Sequence, residues 1–136
     1  MIMSTHNIYL LDTCICIALL KKSQSVIQRL REVGTHNCKI SDITLAELYF
    51  GAFKSGREKH FNDVAEISKL FEKYPIQYTR KYGEIRWELE KQGLHIGDMD
   101  MFIAATALEE DVILVTGNVK HFERIPGLKI ENWMTE

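Results

Sequence analysis

Short apolar runs alternate along this chain with longer stretches in which apolar residues recur at helical spacing. Short runs bounded by polar residues indicate buried strands, and the clearest is Val-Ile-Leu-Val-Thr at residues 112–116. We predict strands at residues 8–12, 38–42, 76–79, 112–116 and 128–131. We predict helices at residues 13–22, 24–33, 44–54, 58–73, 80–92 and 99–109.

Capping and helix-breaking residues define several of these boundaries. Asp12 can cap the first helix, and the Thr-Leu-Ala-Glu segment at 44–47 matches the capping-box pattern that begins a helix. Gly34 and Gly93 stand where helix-terminating glycines belong, and Pro75 stops the fourth helix. The regular alternation of strand and helix predicts an α/β fold built on a parallel sheet.

Length and composition indicate an ordinary globular protein. The 136 residues suit one domain, which we place at residues 1–136. No apolar run approaches the roughly 18 residues that a membrane-spanning helix needs. Residues 1–7 are polar and lack the pattern of a signal peptide, so a cytoplasmic protein with no membrane partner is expected.

The three cysteines, Cys14, Cys16 and Cys38, do not resemble a secreted disulfide framework. The Cys-x-Cys spacing, with His36 two residues before Cys38, superficially suggests zinc, but structural zinc sites use a wider spacing. All three lie in apolar patterns, where cysteine acts as a small buried hydrophobe. We therefore favour structural positions over a zinc site.

Four acidic residues lie where predicted strands end or helices begin. Asp12 follows the first strand, Glu47 lies one turn into the third helix, and Asp98 and Asp100 open the last helix. In a parallel sheet these junctions share one edge, where such sheets bind ligands. Clustered carboxylates repel one another, and a hard divalent cation is the usual compensation. Each acid also has a purely structural interpretation as a helix cap, for which Asp98 is the strongest case.

The overall charge is compatible with a phosphate-bearing substrate. The formal net charge is −2, so the overall charge does not indicate a nucleic-acid-binding protein. Removing the four junction acids from the 19 Asp and Glu leaves 15 against 17 Lys and Arg, so the remainder carries +2. An acidic site in a mildly basic body suits a substrate that carries phosphate.

Five motifs occur in order along the chain. They are Leu-Leu-Asp-Thr at 10–13, Thr-x-x-Glu-Leu-x-x-Gly at 44–51, Asp-x-x-Ile-Ala-Ala-x-Ala at 100–107, Thr-Gly-Asn followed by Phe at 116–122, and the segment 125–133. Together they resemble the motifs of PIN-domain nucleases, in particular the VapC-type toxins. The resemblance covers nearly the whole chain, and five motifs in the family's order are far more specific than one.

The resemblance implies a central parallel sheet with helices on both faces, and an endoribonuclease that depends on Mg²⁺ or Mn²⁺. By position, Asp12, Glu47 and Asp100 are the implied metal-binding acids, and Asn118 takes the fourth catalytic place. It also implies an RNA substrate and a small antitoxin protein as partner. We expect a homodimer, because twofold dimers are the commonest homo-oligomers.

Two positions depart from the family pattern. Cys14 stands where the family usually has Asn, and because a thiol is a poor hydrogen-bonding partner we expect a weakened contact to Asp12. Asn118 stands where Asp would carry more charge for a second metal. Asp98 is not a family position, and we predict that it acts as an auxiliary metal ligand through water.

Weaker predictions concern the surface. The apolar faces of the helices at 44–54 and 58–73 predict a groove for an antitoxin helix. Basic residues near the site are candidates for contact with RNA phosphates, although a solvated surface is an equally simple interpretation. The candidate substrate-binding residues are Arg86, Lys21, Lys22, Lys54, Arg57 and Thr116.

Two other functions stay open from the sequence. A receiver-type phosphoacceptor module also has acids at strand ends, although only Asp12 follows the first strand and no Lys-Pro follows the last. A PIN-like binding module with weakened catalysis is the other, because Cys14 and Asn118 depart from the nuclease pattern.

Overall fold

The computed structural model describes residues 7–134. The strands are β1 (Tyr9–Leu11), β2 (Cys38–Ser41), β3 (Glu72–Tyr74), β4 (Ile113–Val115) and β5 (Ile130–Glu131). The helices are α1 (Thr13–Leu20), α2 (Gln24–Val33), α3 (Asp42–Ser55), α4 (Glu58–Leu70), α5 (Thr79–Lys91), α6 (Asp98–Glu110) and the short α7 (Val119–Phe122). A 3-10 turn covers Thr35–Asn37.

All five strands are parallel, in the order β3-β2-β1-β4-β5. Side chains alternate between the two faces of the sheet, so Tyr9 and Leu11 pack into one buried core and Leu10 into the other. The first core is closed mainly by α1 to α4, and the second by α5 to α7. The predicted α/β architecture with helices on both faces is therefore confirmed.

The strand order reverses between β1 and β4. From β1 the chain moves outward through β2 to β3, and then crosses back to β4 on the other side of β1. The two connections therefore leave neighbouring strands in opposite directions, which opens a crevice at their carboxyl ends. Asp12 follows β1 and Thr116 follows β4, so both lie at this crevice.

The predicted strand at 76–79 is wrong. The third strand of the chain forms earlier, as β3, and the helix before it ends at Leu70 rather than at residue 73. Tyr74 is in register with Ser41, which fixes β3 on the outer edge of β2. Because an edge strand is largely exposed, Glu-Lys-Tyr has no apolar run that the sequence pattern could reveal.

The predicted capping boundaries of α3 and α6 are also wrong. Ser41 caps α3 by accepting the Ile43 N–H at 3.0 Å, so Thr44 and Glu47 lie inside the helix rather than in a capping box. Gly97 is the N-cap of α6, which places Asp98 within its first turn. Glu47 therefore has no role at the helix terminus, and its side chain is available for other contacts.

The cysteines fit the structural interpretation. Cys16 and Cys38 are buried in the first core, Cys14 is partly buried, and all three thiols are free. Over residues 7–134, no helix is both long and apolar enough to cross a membrane. The polar segment that the sequence analysis placed at residues 1–7 lies, except for Asn7, outside the described residues.

Candidate active site

Asp12 is fixed from several directions at the crevice. Its backbone N–H extends the sheet by donating to Val115 O at 2.9 Å. Its Oδ1 accepts the Thr13 N–H at 2.8 Å as the cap of α1, and its Oδ2 accepts the Thr116 hydroxyl at 2.8 Å. The residue is only 3% exposed. The capping role predicted for Asp12 is confirmed, and the same bonds give the carboxylate one fixed orientation.

Glu47 reaches the same edge of the sheet from α3. Thr13 Oγ1 donates to Glu47 Oε1 at 2.5 Å and lies 3.3 Å from the Thr44 hydroxyl oxygen. Thr13 thus binds Asp12 through its backbone N–H and Glu47 through its hydroxyl. The first and second sequence motifs therefore meet at a single threonine.

Asp100 completes an acid cluster, the name used below for Asp12, Glu47 and Asp100. It lies in the first turn of α6, where its side chain is 24% exposed, and its Oδ2 is 3.4 Å from Nδ1 of His121. The charge of Asp100 contributes to raising the pKa of Asp12, and the charge of Glu47 contributes to raising the pKa of Asp100. The structure therefore places the three acids that the family resemblance implies close enough for Asp100 to interact electrostatically with the other two, and it leaves the fourth junction acid, Asp98, outside the cluster.

Burial and repulsion between carboxylates destabilise the charged forms of Asp12 and Asp100. Burial is the main cause that raises the pKa of Asp12, and repulsion from Asp100 adds to it, whereas hydrogen bonds from Thr116 and Thr13 oppose it. Burial also raises the pKa of Asp100, with a further contribution from Glu47 and an opposing hydrogen bond from His121. A cation close to these carboxylates would relieve both penalties.

The donor chemistry fits a hard divalent cation. All three acids offer carboxylate oxygens, the ligands that Mg²⁺ and Mn²⁺ prefer. Between residues 7 and 134, no group of three or more Asp, Glu, His or Cys side chains is placed to hold a metal ion. The fit therefore rests on the type and charge of the donors rather than on a formed coordination geometry.

Cys14 joins two segments of the site. Its Sγ accepts the Gly117 N–H at 3.2 Å and lies 3.8 Å from both Asp12 Oδ2 and Thr116 Oγ1. A Cβ at position 117 would meet Met134 Sδ at 2.8 Å, so the exposed Met134 side chain would have to move to admit a larger residue. The contact to Asp12 is thus present, at the longer distance that sulfur allows. Burial raises the pKa of the Cys14 thiol, which keeps it protonated.

Thr116 and Asn118 contribute differently from the end of β4. Thr116 is completely buried, and its Oγ1 both donates to Asp12 and accepts the Asn118 N–H at 3.0 Å. The structure thus replaces the predicted substrate contact of Thr116 with a positioning role. The Asn118 side chain is exposed and makes no hydrogen bond within the described residues, so its catalytic place remains a prediction.

Asp98 and Arg86 contact Tyr82 and each other rather than the acid cluster. Asp98 Oδ1 accepts the Tyr82 hydroxyl at 2.7 Å and lies 3.8 Å from Arg86 Nη1. Arg86 also donates to Glu90 at 2.7 Å and to Tyr82 at 3.0 Å. A metal role for Asp98 through water and an RNA contact for Arg86 stay predictions, and each would require breaking some of these bonds.

The lysine and arginine candidates lie at different places around the site. Lys21 lines a groove that Glu47 also borders, which places it on a surface continuous with the acid cluster. Lys22, Lys54 and Arg57 are exposed, and their side chains make no ion pair within residues 7–134. Their contact with RNA stays a prediction.

His121 is the site residue that sequence reasoning missed. It lies on α7, whose four residues are too few to show helical periodicity. The only available signal was its place directly before Phe122 in the fourth motif. Its contact with Asp100 joins positions 21 residues apart in sequence, and only the fold reveals it.

Comparisons with known proteins identify the class of this fold and site. The PIN domain family model matches residues 9–128, a segment that contains the whole acid cluster. The chain belongs to the PIN-domain family. The receiver-type alternative is therefore wrong, and the resemblance drawn from the motifs is confirmed.

The individual relatives are VapC proteins. The chain is 42% identical to Ribonuclease VapC2 of Rickettsia felis, over 93% of this chain and 98% of that protein. It is 38% identical to the tRNA(fMet)-specific endonuclease VapC of Salmonella typhimurium, over 92% and 97% respectively. The crystal structure of VapBC2 from Rickettsia felis bound to a promoter DNA fragment superposes with a TM-score of 0.85 and 40% identity, over 93% of this chain and 98% of that one.

Proposed function

We propose that this chain is a divalent-metal-dependent endoribonuclease that hydrolyses RNA phosphodiester bonds as the toxin of a toxin–antitoxin pair. The observation that carries the proposal is the meeting of Asp12, Glu47 and Asp100 at the carboxyl edge of the sheet. The names of two relatives, a ribonuclease and a tRNA-specific endonuclease, support RNA as the substrate. A cytoplasmic site of action, where RNA is made and used, belongs to the same proposal.

The acid cluster would hold the cation, which we propose to be Mg²⁺ or Mn²⁺. When bound, the cation supplies an activated water and neutralises charge that develops on the phosphate oxygens. The protein's own contribution is orientation. Thr116 and the Thr13 N–H fix Asp12, the Thr13 hydroxyl fixes Glu47, and His121 lies against Asp100.

The two departures from the family pattern are compatible with an active enzyme rather than a binding module with weakened catalysis. Cys14 still contacts Asp12 and holds the Gly117 backbone, so the segment after β4 stays attached to the site. Asn118 lowers the charge at the fourth position, but it leaves all three carboxylates of the acid cluster in place.

We also propose that a cognate antitoxin binds the groove between α1, α3 and α4. The groove has a volume of about 300 Å³, with apolar walls that include Ile17, Leu20 and Leu48, and it extends to Glu47. Ile17 is 40% exposed. An amphipathic helix that presents apolar side chains would fill this groove, and the VapBC2 complex of Rickettsia felis supports such a partner. A symmetric homodimer remains part of the proposal.

The activity is tested directly by incubating total RNA and a tRNA transcript with the purified protein in Mg²⁺, Mn²⁺ or EDTA. Mapping of the new RNA ends should show discrete cuts with either cation and none in EDTA. Asp100→Asn, purified in parallel, controls for a contaminating nuclease. Equal cleavage by this variant, or cleavage that persists in EDTA, would overturn the proposal.

A further inference from the structure

His121 borders two features of the surface. One edge of its ring faces Asp100 in the acid cluster, through the 3.4 Å contact of Nδ1. The residue also lines a concavity of about 360 Å³ between the loop before α6 and the segment that contains α7. This volume is within the range of small-molecule sites. The concavity therefore adjoins the acid cluster, with one side chain shared between them.

The walls of this concavity differ in character. Leu89, Leu94 and Ile96 supply an apolar wall. Polar residues supply the rest of the lining, and Lys120 and Arg124 are exposed on it. An apolar wall beside fixed positive charge suits a nucleotide, which combines a flat base, a ribose and a phosphate.

Lys120 and Arg124 carry positive charge that no carboxylate neutralises, because neither side chain makes a hydrogen bond or ion pair with any residue from 7 to 134. Arg29, Lys81 and Arg86, in contrast, are each bound to two carboxylates. The remaining polar residues of the lining are His95, His121 and Glu123. Two cations against one carboxylate leave the wall with a net positive charge.

We infer that this concavity binds one nucleotide of the RNA strand, adjacent to the phosphodiester that is cut. Its phosphate lies on Lys120 and Arg124, and its base or ribose lies on Leu89, Leu94 and Ile96. The inference rests on the proposed function. The acid cluster repels RNA by itself, so cations that no carboxylate neutralises are needed beside it to hold the strand. Arg124 adds a planar donor set that matches phosphate geometry.

The test compares Lys120→Gln/Arg124→Gln with the control Arg31→Gln/Arg80→Gln. The control removes the same charge from two exposed arginines outside this concavity. RNA binding is measured in EDTA by fluorescence anisotropy, over a series of salt concentrations, with a labelled RNA that covers the mapped cut. The slope of log Kd against log salt should flatten by about 0.7 in the test variant, since both cations contact one phosphate and each phosphate contact to a single strand contributes roughly 0.7.

Neutral methylphosphonate linkages, placed one at a time in this RNA, locate the contact. In the wild type, one linkage next to the cut should weaken binding several-fold. The same linkage should have no effect on Lys120→Gln/Arg124→Gln, because its partners are already lost. In Mg²⁺, KM should rise in this variant while kcat changes little, since the acid cluster is untouched.

A salt slope that equals the wild type's, or a methylphosphonate effect that persists in the test variant, would overturn the inference. Equal losses in the test and control variants would do the same, because they would show a general charge effect. These outcomes are distinct from failure of the proposed function, in which RNA binds in EDTA but no cation induces cutting.

Discussion

The Thr116 hydroxyl donates a 2.8 Å hydrogen bond to Asp12 Oδ2 across 104 residues of sequence. Both residues are buried, and they follow β1 and β4, the adjacent strands at which the sheet order reverses. The same Thr116 oxygen accepts the Asn118 N–H at 3.0 Å. One hydroxyl thus orients a carboxylate of the acid cluster and the backbone of the segment that carries Asn118 and His121.

Replacing Thr116 with Val should weaken both folding and activity. The isosteric side chain removes the bond to Asp12 and leaves the Asn118 N–H without its acceptor, at a cost of about 1–3 kcal/mol in unfolding free energy. RNA cleavage should fall as Asp12 loses its orientation. Urea unfolding and a cleavage assay measure the two effects.

Thr106→Val is the matched control, because Thr106 is also buried but donates only to the Phe102 carbonyl within α6. It should leave cleavage unchanged. If Thr116→Val cuts RNA as the wild type does, Thr116 does not position Asp12 for catalysis.

Glu47→Gln should separate catalysis from stability. The Gln amide oxygen can still accept the Thr13 hydroxyl, and Ser41, not Glu47, caps α3. Unfolding free energy without metal should therefore stay within about 0.5 kcal/mol of the wild type, a typical surface value. Cleavage should fall by orders of magnitude, since the amide loses the charge that binds a hard cation. Melting temperature and cleavage are measured on one preparation.

Glu58→Gln, an exposed change at the start of α4, controls for loss of a carboxylate in general. It should cut RNA normally. Wild-type cleavage by Glu47→Gln would remove Glu47 from the acid cluster's function.

Asp12→Asn should stabilise the metal-free protein at neutral pH. Burial raises the folded-state pKa of Asp12 above its usual value, so the ionised carboxyl costs stability once the pH exceeds the folded-state pKa. That cost disappears as the pH falls towards the usual value, near 3.8. The melting temperature of the variant should exceed the wild type's at pH 7 in EDTA, and the difference should shrink towards pH 4.

Added Mg²⁺ should reverse this order. Binding to the native wild type contributes about 2.7 kcal/mol when the cation is a hundredfold above its Kd, and Asp12→Asn should lose most of that gain. Asp63→Asn, on α4 and outside the acid cluster, should respond to Mg²⁺ like the wild type. A wild type that shows no Mg²⁺ stabilisation, even with bound RNA, would contradict the metal proposal.

Cys14→Val should reduce cleavage, because Val offers no acceptor to the Gly117 N–H and no contact to Asp12. Cys14→Asn should retain or raise activity, since an amide can accept from Gly117 and donate to Asp12 with shorter bonds than sulfur makes. Initial cleavage rates of the two variants and the wild type measure this order. A Cys14→Val enzyme as fast as the wild type would show that Cys14 is only a packing residue.

Ile17→Glu should abolish antitoxin binding without unfolding the protein. Ile17 lines the groove between α1, α3 and α4 and is already 40% exposed, so a charge there is tolerated in the free chain but not against an apolar helix. Expression of either the wild type or this variant should arrest growth. Co-expression of the antitoxin should rescue cells that express the wild type, but not cells that express the variant. Ile76→Glu, more exposed and outside the groove, should still be rescued.

Local pattern was sufficient for most of the fold. β1 and β4 are buried on both faces, so their uninterrupted apolar runs revealed them, and Gly34 does end α2. The edge strand β3 and the short α7 were missed because neither has enough buried residues to leave a periodic signal. A local sequence pattern reflects burial and helix capping. These two elements depend instead on contacts with segments that are distant in sequence.

The sequence singled out the three acids of the cluster, because carboxylates at the junctions of a parallel sheet lie at one edge and the motifs selected among them. Asp98 met the junction criterion as well, but it binds Tyr82 instead. The partners of the three acids were not identifiable in this way. The bonds of Thr116 to Asp12 and of Thr13 to Glu47, and the contact of His121 with Asp100, each join residues far apart in the chain. The strand order and helix packing decide which side chains meet, and a hydrogen bond forms only where that packing brings a donor within about 3 Å of its acceptor.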